Sequence, residues 1–212
     1  MNEIIENTDK RGVIFAAAEK LFSDEDFDAV SVRDIAKAAN VNVAMISYYF
    51  GSKEKLFEEL IVTRMQSSQL TIKNIATDEK MSSAEKVLAV VDFYVDRLMN
   101  NPHVHKMIDR EMSISTRPHL REMLINKISS NKDYIKKMVE EGIAKGEFRA
   151  DADSELLMLN LFALIRYIVG SSYYSCRMLD QIKEEDLFAP EFRQRIKNYL
   201  HDLFKNNLFI KQ

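Results

Sequence analysis

Apolar residues recur along this chain at intervals of three and four, and strict polar–apolar alternation is absent. The pattern predicts helices from end to end. A first helix from about Thr8 to Ser23 carries the stripe Val13, Ile14, Ala17, Ala18, Leu21 and Phe22. Short helices follow over Val32–Ala39, capped by Ser31, and Val43–Tyr49, capped by Asn42. A fourth starts near Lys53 behind Ser52 and reaches about Ala76, burying Leu56, Leu60, Ile61 and Met65. After a hinge at 77–81, Ser82 and Glu85 form a capping-box signature opening a helix to about Asn100. Pro102, Pro118 and Pro190 each stand where a helix can begin, which predicts helices over Pro102–Ile114, Pro118–Gly142 and Pro190–Asn206. A further helix is expected over Ser154–Tyr174, apolar nearly all round and therefore covered on two sides, and Gly142–Asp153 reads as a connector. The expected fold is all-α: a three-helix helix-turn-helix head, residues 1–52, and a body of about six helices, residues 53–212.

Composition narrows the class. Of 212 residues, 46% are hydrophobic and 30% charged, an ordinary globular balance. A single cysteine, Cys176, excludes an internal disulfide framework and a multi-cysteine metal cluster, and fits a reducing cytoplasm. The polar start has no apolar core of a signal peptide. The densest apolar stretch, 156–174, is interrupted by Asn160, Arg166 and a serine pair, so it reads as a buried helix and not a membrane span. Net charge is −3 overall, and residues 1–55 hold seven Lys and Arg against ten Asp and Glu. Only Ser31–Lys55 is positive, with four basic residues against two acids. Any hold on nucleic acid must rest on a small oriented patch and on pairing of subunits.

That patch lies in the segment SVRDIAKAANVNVAMISYYFGSKEKL, Ser31–Leu56. Two short helices, a tight turn, a small residue (Ala36) at the crossing and Val41 and Ile46 inside make helix-turn-helix geometry. Its second helix would enter a major groove. Over residues 10–57 the chain resembles the TetR/AcrR family of regulators. The resemblance is carried by Leu21-Phe22, Phe27, Ser31-Val32, Asp34-Ile35-Ala36, Val41, Tyr48-Tyr49-Phe50 and Lys53-Glu54-x-Leu56. Asp26 and Asn40 stand where the family usually has glycine, and both are expected to take a left-handed backbone. Ser47 replaces a frequent tyrosine.

The resemblance implies roles. Tyr48 and Lys53 would contact phosphates, with Tyr49 beside them or in the core. Ser31 would cap its helix and reach a phosphate as well. Base readout would come from Arg33, Val43, Ala44, Met45 and Ser47, with Arg33 matching guanine's two acceptors or pairing with a surface acid. The partners implied are a double-stranded, near-palindromic operator, a small-molecule effector and a second copy of the chain. The last two long helices of each copy would form a four-helix bundle about a two-fold axis.

The body carries no catalytic signature. His103, His105 and His119 lack a carboxylate pattern for a metal, and Asp151-x-Asp153-x-Glu155 lacks the glycine and distal glutamate of a calcium loop. No cofactor and no metal are expected. Met and aromatic residues favour an adaptable apolar pocket, for which Phe93, Met107, Met112, Phe162, Arg166 and Tyr167 are candidates, though a plain core accounts for most such side chains. Arg166, within an apolar run, is expected to pair with Glu111 or Asp92 or else to receive an anionic ligand. The reading is a cytoplasmic, TetR-type repressor released by its ligand and not an enzyme. A ligand-independent DNA-binding protein, an activator and an all-helical enzyme are the alternatives.

Overall fold

The structure is a computed structural model, and it describes residues 2–114, 117–179 and 182–210. Among these are ten α-helices: α1 (Asn2–Asp24), α2 (Val32–Ala38), α3 (Val43–Phe50), α4 (Lys53–Ala76), α5 (Ser83–Asn100), α6 (Pro102–Ile114), α7 (Pro118–Ala144), α8 (Ser154–Gly170), α9 (Ser172–Met178) and α10 (Pro190–Leu208). The chain divides into two compact units, Met1–Ser67 with Lys106–Glu122, and Ser68–His105 with Met123–Gln212. Helices α4, α6 and α7 each contribute residues to both.

In the first unit the stripe of α1 buries Ile14, Ala18 and Phe22 against Ile35 and Ala36 of α2, Ile46 and Phe50 of α3, and Leu56, Phe57 and Leu60 of α4. Phe22, Phe27 and Phe57 form a ring cluster with centroids 4.9 to 5.5 Å apart. The Arg117 guanidinium lies 3.8 Å from the Phe27 centroid and pairs with Glu111, whose carboxylate is buried. A buried carboxylate is tolerable only with such a partner. Ser31 and Asp34 close a reciprocal capping box on α2, and Asn42 Oδ1 accepts from Ala44 N–H at 2.9 Å on α3.

The second unit is built on α5, α8 and α10. Its core takes Val87, Val91, Tyr94 and Val95 from α5, Leu161, Ile165 and Val169 from α8, and Phe192, Ile196, Leu200 and Phe204 from α10. The four-residue step along α10 keeps one face inward for its whole length. Two bonds fasten α10 to α5: Lys197 Nζ donates to Asp96 at 2.7 Å, and His201 Nε2 lies 2.8 Å from Asp92. The Gly142–Asp153 connector is held by Arg149 N–H donating to Leu208 O at 2.9 Å and by Phe148 stacking on Phe209.

Three expectations change. The helix predicted over 154–174 is two helices, α8 and α9, meeting at 106°. Gly170-Ser171 supplies the break: glycine and serine are weak in helix interiors, and Ser171 leaves helical dihedrals at φ −127°, ψ 50°. Among the described residues no single helix is long and apolar enough to cross a membrane. Asn40 takes the left-handed backbone at φ 51°, but Asp26 does not; Asn40 is the one non-glycine residue with positive φ among those described. The chain leaves α1 through a turn in which Ala29 and Val30 N–H donate to Asp26 O, a geometry that needs no left-handed residue. Nor is α8 covered on two sides. Leu157, Leu161, Ile165 and Ile168 are buried, whereas Leu156, Leu159 and Tyr167 face outward, half or more exposed.

Candidate nucleic-acid interface

The turn between α2 and α3 is set by backbone chemistry. Val41 N–H donates to Ala36 O at 3.0 Å and Asn40 N–H to Lys37 O at 3.2 Å, a paired closure that requires a left-handed residue at position 40. The chain then re-enters a helix at once, and α3 is clamped from below by Ile46 and Phe50, both buried. The one-turn periodicity therefore lifts Val43, Ala44, Ser47 and Tyr48 onto the opposite face. All four are exposed, Val43 at 41% and Tyr48 at 74%. Met45 and Tyr49 are half-buried at its edges, and the Tyr48 and Tyr49 rings meet edge to face at 5.0 Å. Arg33 and Ser31 are exposed at the start of α2. Eight of the nine residues expected at DNA thus lie on one short stretch of surface or its margins.

Lys53 is the exception. Its ammonium donates to Phe27 O at 2.8 Å and Val30 O at 2.9 Å and sits 4.0 Å from the Phe27 ring centroid. It ties the first turn of α4 to the α1–α2 loop, where two carbonyls lack helical partners, and keeps one N–H to spare. Sequence reasoning missed this tie; the loop's curl over an aromatic ring was its cause and left no sequence signal beyond Phe27 itself. The local charges are settled by the caps. The Ser31 hydroxyl and backbone N–H hold the Asp34 carboxyl below the usual carboxylate range, with help from Lys37. Its own backbone N–H and the Ser52 hydroxyl do the same for Glu54 at the head of α4.

The six pocket candidates do not converge. Met107 is buried and Met112 half-buried in the first unit. In the second, Phe93 is half-buried against the core, Phe162 lines a cleft of about 350 Å³ between α5, α7 and α8, and Tyr167 lines a cavity of about 580 Å³ between α8, α9 and α10. Arg166 is exposed on α8, so it is not the buried charge expected; Glu111 pairs with Arg117, and Asp92 with His201. An apolar run hid its exposure, because the outer face of α8 is apolar too.

Residues 14–60 match the family model for bacterial regulatory proteins of the tetR family, and residues 84–203 match that of the tetracyclin repressor-like C-terminal domain. The chain belongs to the TetR family. It is a transcriptional regulator of that family, whose members are regulators and not enzymes. Among its TetR relatives is the "Probable HTH-type transcriptional regulator YttP" of Bacillus subtilis, 27% identical over 91% of this chain and 92% of that one. The "HTH-type transcriptional repressor NicS" of Pseudomonas putida is 30% identical over 66% of each chain. The TetR fold is shared with the regulator FadR of Bacillus subtilis, solved in complex with stearoyl-CoA, at a TM-score of 0.64 and 20% identity, covering 90% of this chain and 97% of FadR.

Proposed function

We propose that this TetR-family chain is a homodimeric repressor that holds a near-palindromic operator and lets go when a small molecule fills its body. The observation that carries the reading is α3: anchored by Ile46 and Phe50, it presents small and polar side chains outward. Such a helix fits a major groove, with Val43, Ala44, Met45 and Ser47 toward base edges and Tyr48, Tyr49 and Ser31 toward phosphates. Arg33 reads guanine, and the spare N–H of Lys53 reaches a phosphate.

Two copies pair through α8 and α10. What supports this is the uncovered apolar face of Leu156, Leu159 and Tyr167 on α8 with Tyr199 on α10, since patches of that kind mark interaction surfaces. Pairing sets two α3 helices about 34–36 Å apart, one turn of DNA. The head, residues 1–52, and the body, residues 53–212, are joined by α4. That helix is fastened at its start by Lys53 to the Phe27 and Val30 carbonyls, and at its end by Lys86, which donates to Ala76 O at 3.0 Å. A ligand that re-poses α4 therefore re-aims α3, and two mis-set heads no longer fit successive grooves. The clefts in the second unit favour a ligand-responsive protein over a ligand-independent one, and the NicS name favours repression.

The test is selection of genomic fragments by the purified protein across a salt series. Wild type returns a two-fold-symmetric site. Arg33→Ala loses discrimination at one base pair by about ten- to a hundredfold, as loss of a bidentate contact does. Tyr48→Ala weakens all sequences alike. A wild-type protein indifferent to duplex DNA sinks the proposal.

A further inference from the structure

The α5–α7–α8 cleft has an apolar wall of Ile135, Met158 and Phe162, with the Tyr94 ring edge-on to Phe162 at 4.7 Å. One polar pair breaks that wall. Asn131 Nδ2 donates to the Tyr94 hydroxyl oxygen at 3.3 Å. Asn131 is only 9% exposed, and its Oδ1 is a buried acceptor with no hydrogen-bond partner. An unmet acceptor inside a protein is costly, and natural structures keep few. The Tyr94 oxygen accepts from Asn131, so its proton is not spent in that bond. Burial pushes the Tyr94 phenol above its ordinary range, which keeps the proton in place at neutral pH. One donor and one acceptor therefore stand side by side in an apolar cleft. At its mouth Lys132 of α7 pairs with Glu155 of α8 at 2.9 Å; both are exposed, and such a pair parts at little cost.

The larger cavity offers no such pair. Among the described residues none of its lining side chains carries a buried polar atom without a partner, and it adjoins the α8–α10 face assigned to the second copy.

We propose that the α5–α7–α8 cleft is the effector site and takes a neutral amphiphile. Its apolar body lies along Ile135, Met158 and Phe162, and its head is a single group that both donates and accepts, a hydroxyl or a primary amide. The head gives a proton to Asn131 Oδ1 and accepts one from Tyr94. A carboxylate has no proton for Asn131, and an ester has none either. This deepens the sensing role proposed above and rests on it.

Calorimetry on the full chain, without DNA, tests it with octanamide, octanoate and methyl octanoate. Octanamide binds at least about tenfold tighter than the other two, the penalty of leaving Asn131 unmet. Asn131→Leu brings the amide down to the ester, with helical content unchanged by circular dichroism, and Tyr94→Phe removes part of the preference without disturbing Asn131. Octanamide binding no better than methyl octanoate, an amide preference that survives Asn131→Leu, or no heat with any of the three overturns the proposal. Operator binding by unliganded wild type is scored separately, so failure there removes the regulatory reading and leaves the calorimetry standing on its own.

Discussion

A left-handed backbone at Asn40 is tolerable to asparagine and natural to glycine. Asn40→Gly is therefore expected to hold or raise stability slightly, and Asn40→Val to lower it by about 1–2 kcal/mol, read by urea denaturation. Gly142 meets a different constraint. A Cβ there would lie 2.2 Å from the Phe148 ring, and Phe148 is itself buried and stacked on Phe209. Gly142→Ala should cost about 1–3 kcal/mol by overpacking, with Phe148→Leu in the same chain recovering part of the loss. Full recovery of stability in Gly142→Ala alone would show that the ring moves freely. At this scale the sequence was legible where one residue decides: Asn40 announced its turn. It was not legible where a partner far along the chain decides, as with Gly142 and Phe148, or with Asn131, a polar residue inside the Ile128–Ile135 stripe of α7.

Helix ends were the most readable elements. Both capping boxes, Ser31–Asp34 and Ser82–Glu85, form as the spacing predicts, because a cap needs only four consecutive residues. Each carboxyl is held below its ordinary range, chiefly by hydrogen bonds from its serine. The sign of the pH effect follows. A carboxyl whose folded pKa is depressed stabilises fully above its unfolded value, about 3.9 for Asp and 4.3 for Glu, and that contribution is lost as pH falls through the folded value. Helicity of the isolated cap turns, followed by amide exchange, should be flat from neutral pH to about pH 5 and fall below about pH 4, and Asp34→Asn should abolish the pH dependence at α2. The α8–α9 break was written in Gly170-Ser171 but outweighed by the apolar run on either side. Lys86, buried though charged, reaches the end carbonyl of α4, and Lys86→Met should cost about 1.5–3 kcal/mol in urea melts, the worth of a hydrogen bond to a charged group.

At the scale of the molecule, the core-facing stripes of α5, α8 and α10 follow from periodicity alone, whereas the outer face of α8 does not, since an apolar helix looks the same whether its second side meets its own chain or another. Leu159, 61% exposed, and Tyr199, 58% exposed, test the pairing. Leu159→Glu with Tyr199→Asp should shift sedimentation velocity from dimer to monomer and weaken operator binding at least about a hundredfold, since each head alone holds half a site. A double variant that sediments as wild type ends that assignment. The same uncovered face carries a thermal consequence. A protein whose two copies shield each other's oily flank unfolds at a temperature that climbs with dilution reversed: concentrate it and the melting point rises, thin it out and the flank is bared to solvent and to any other greasy surface at hand.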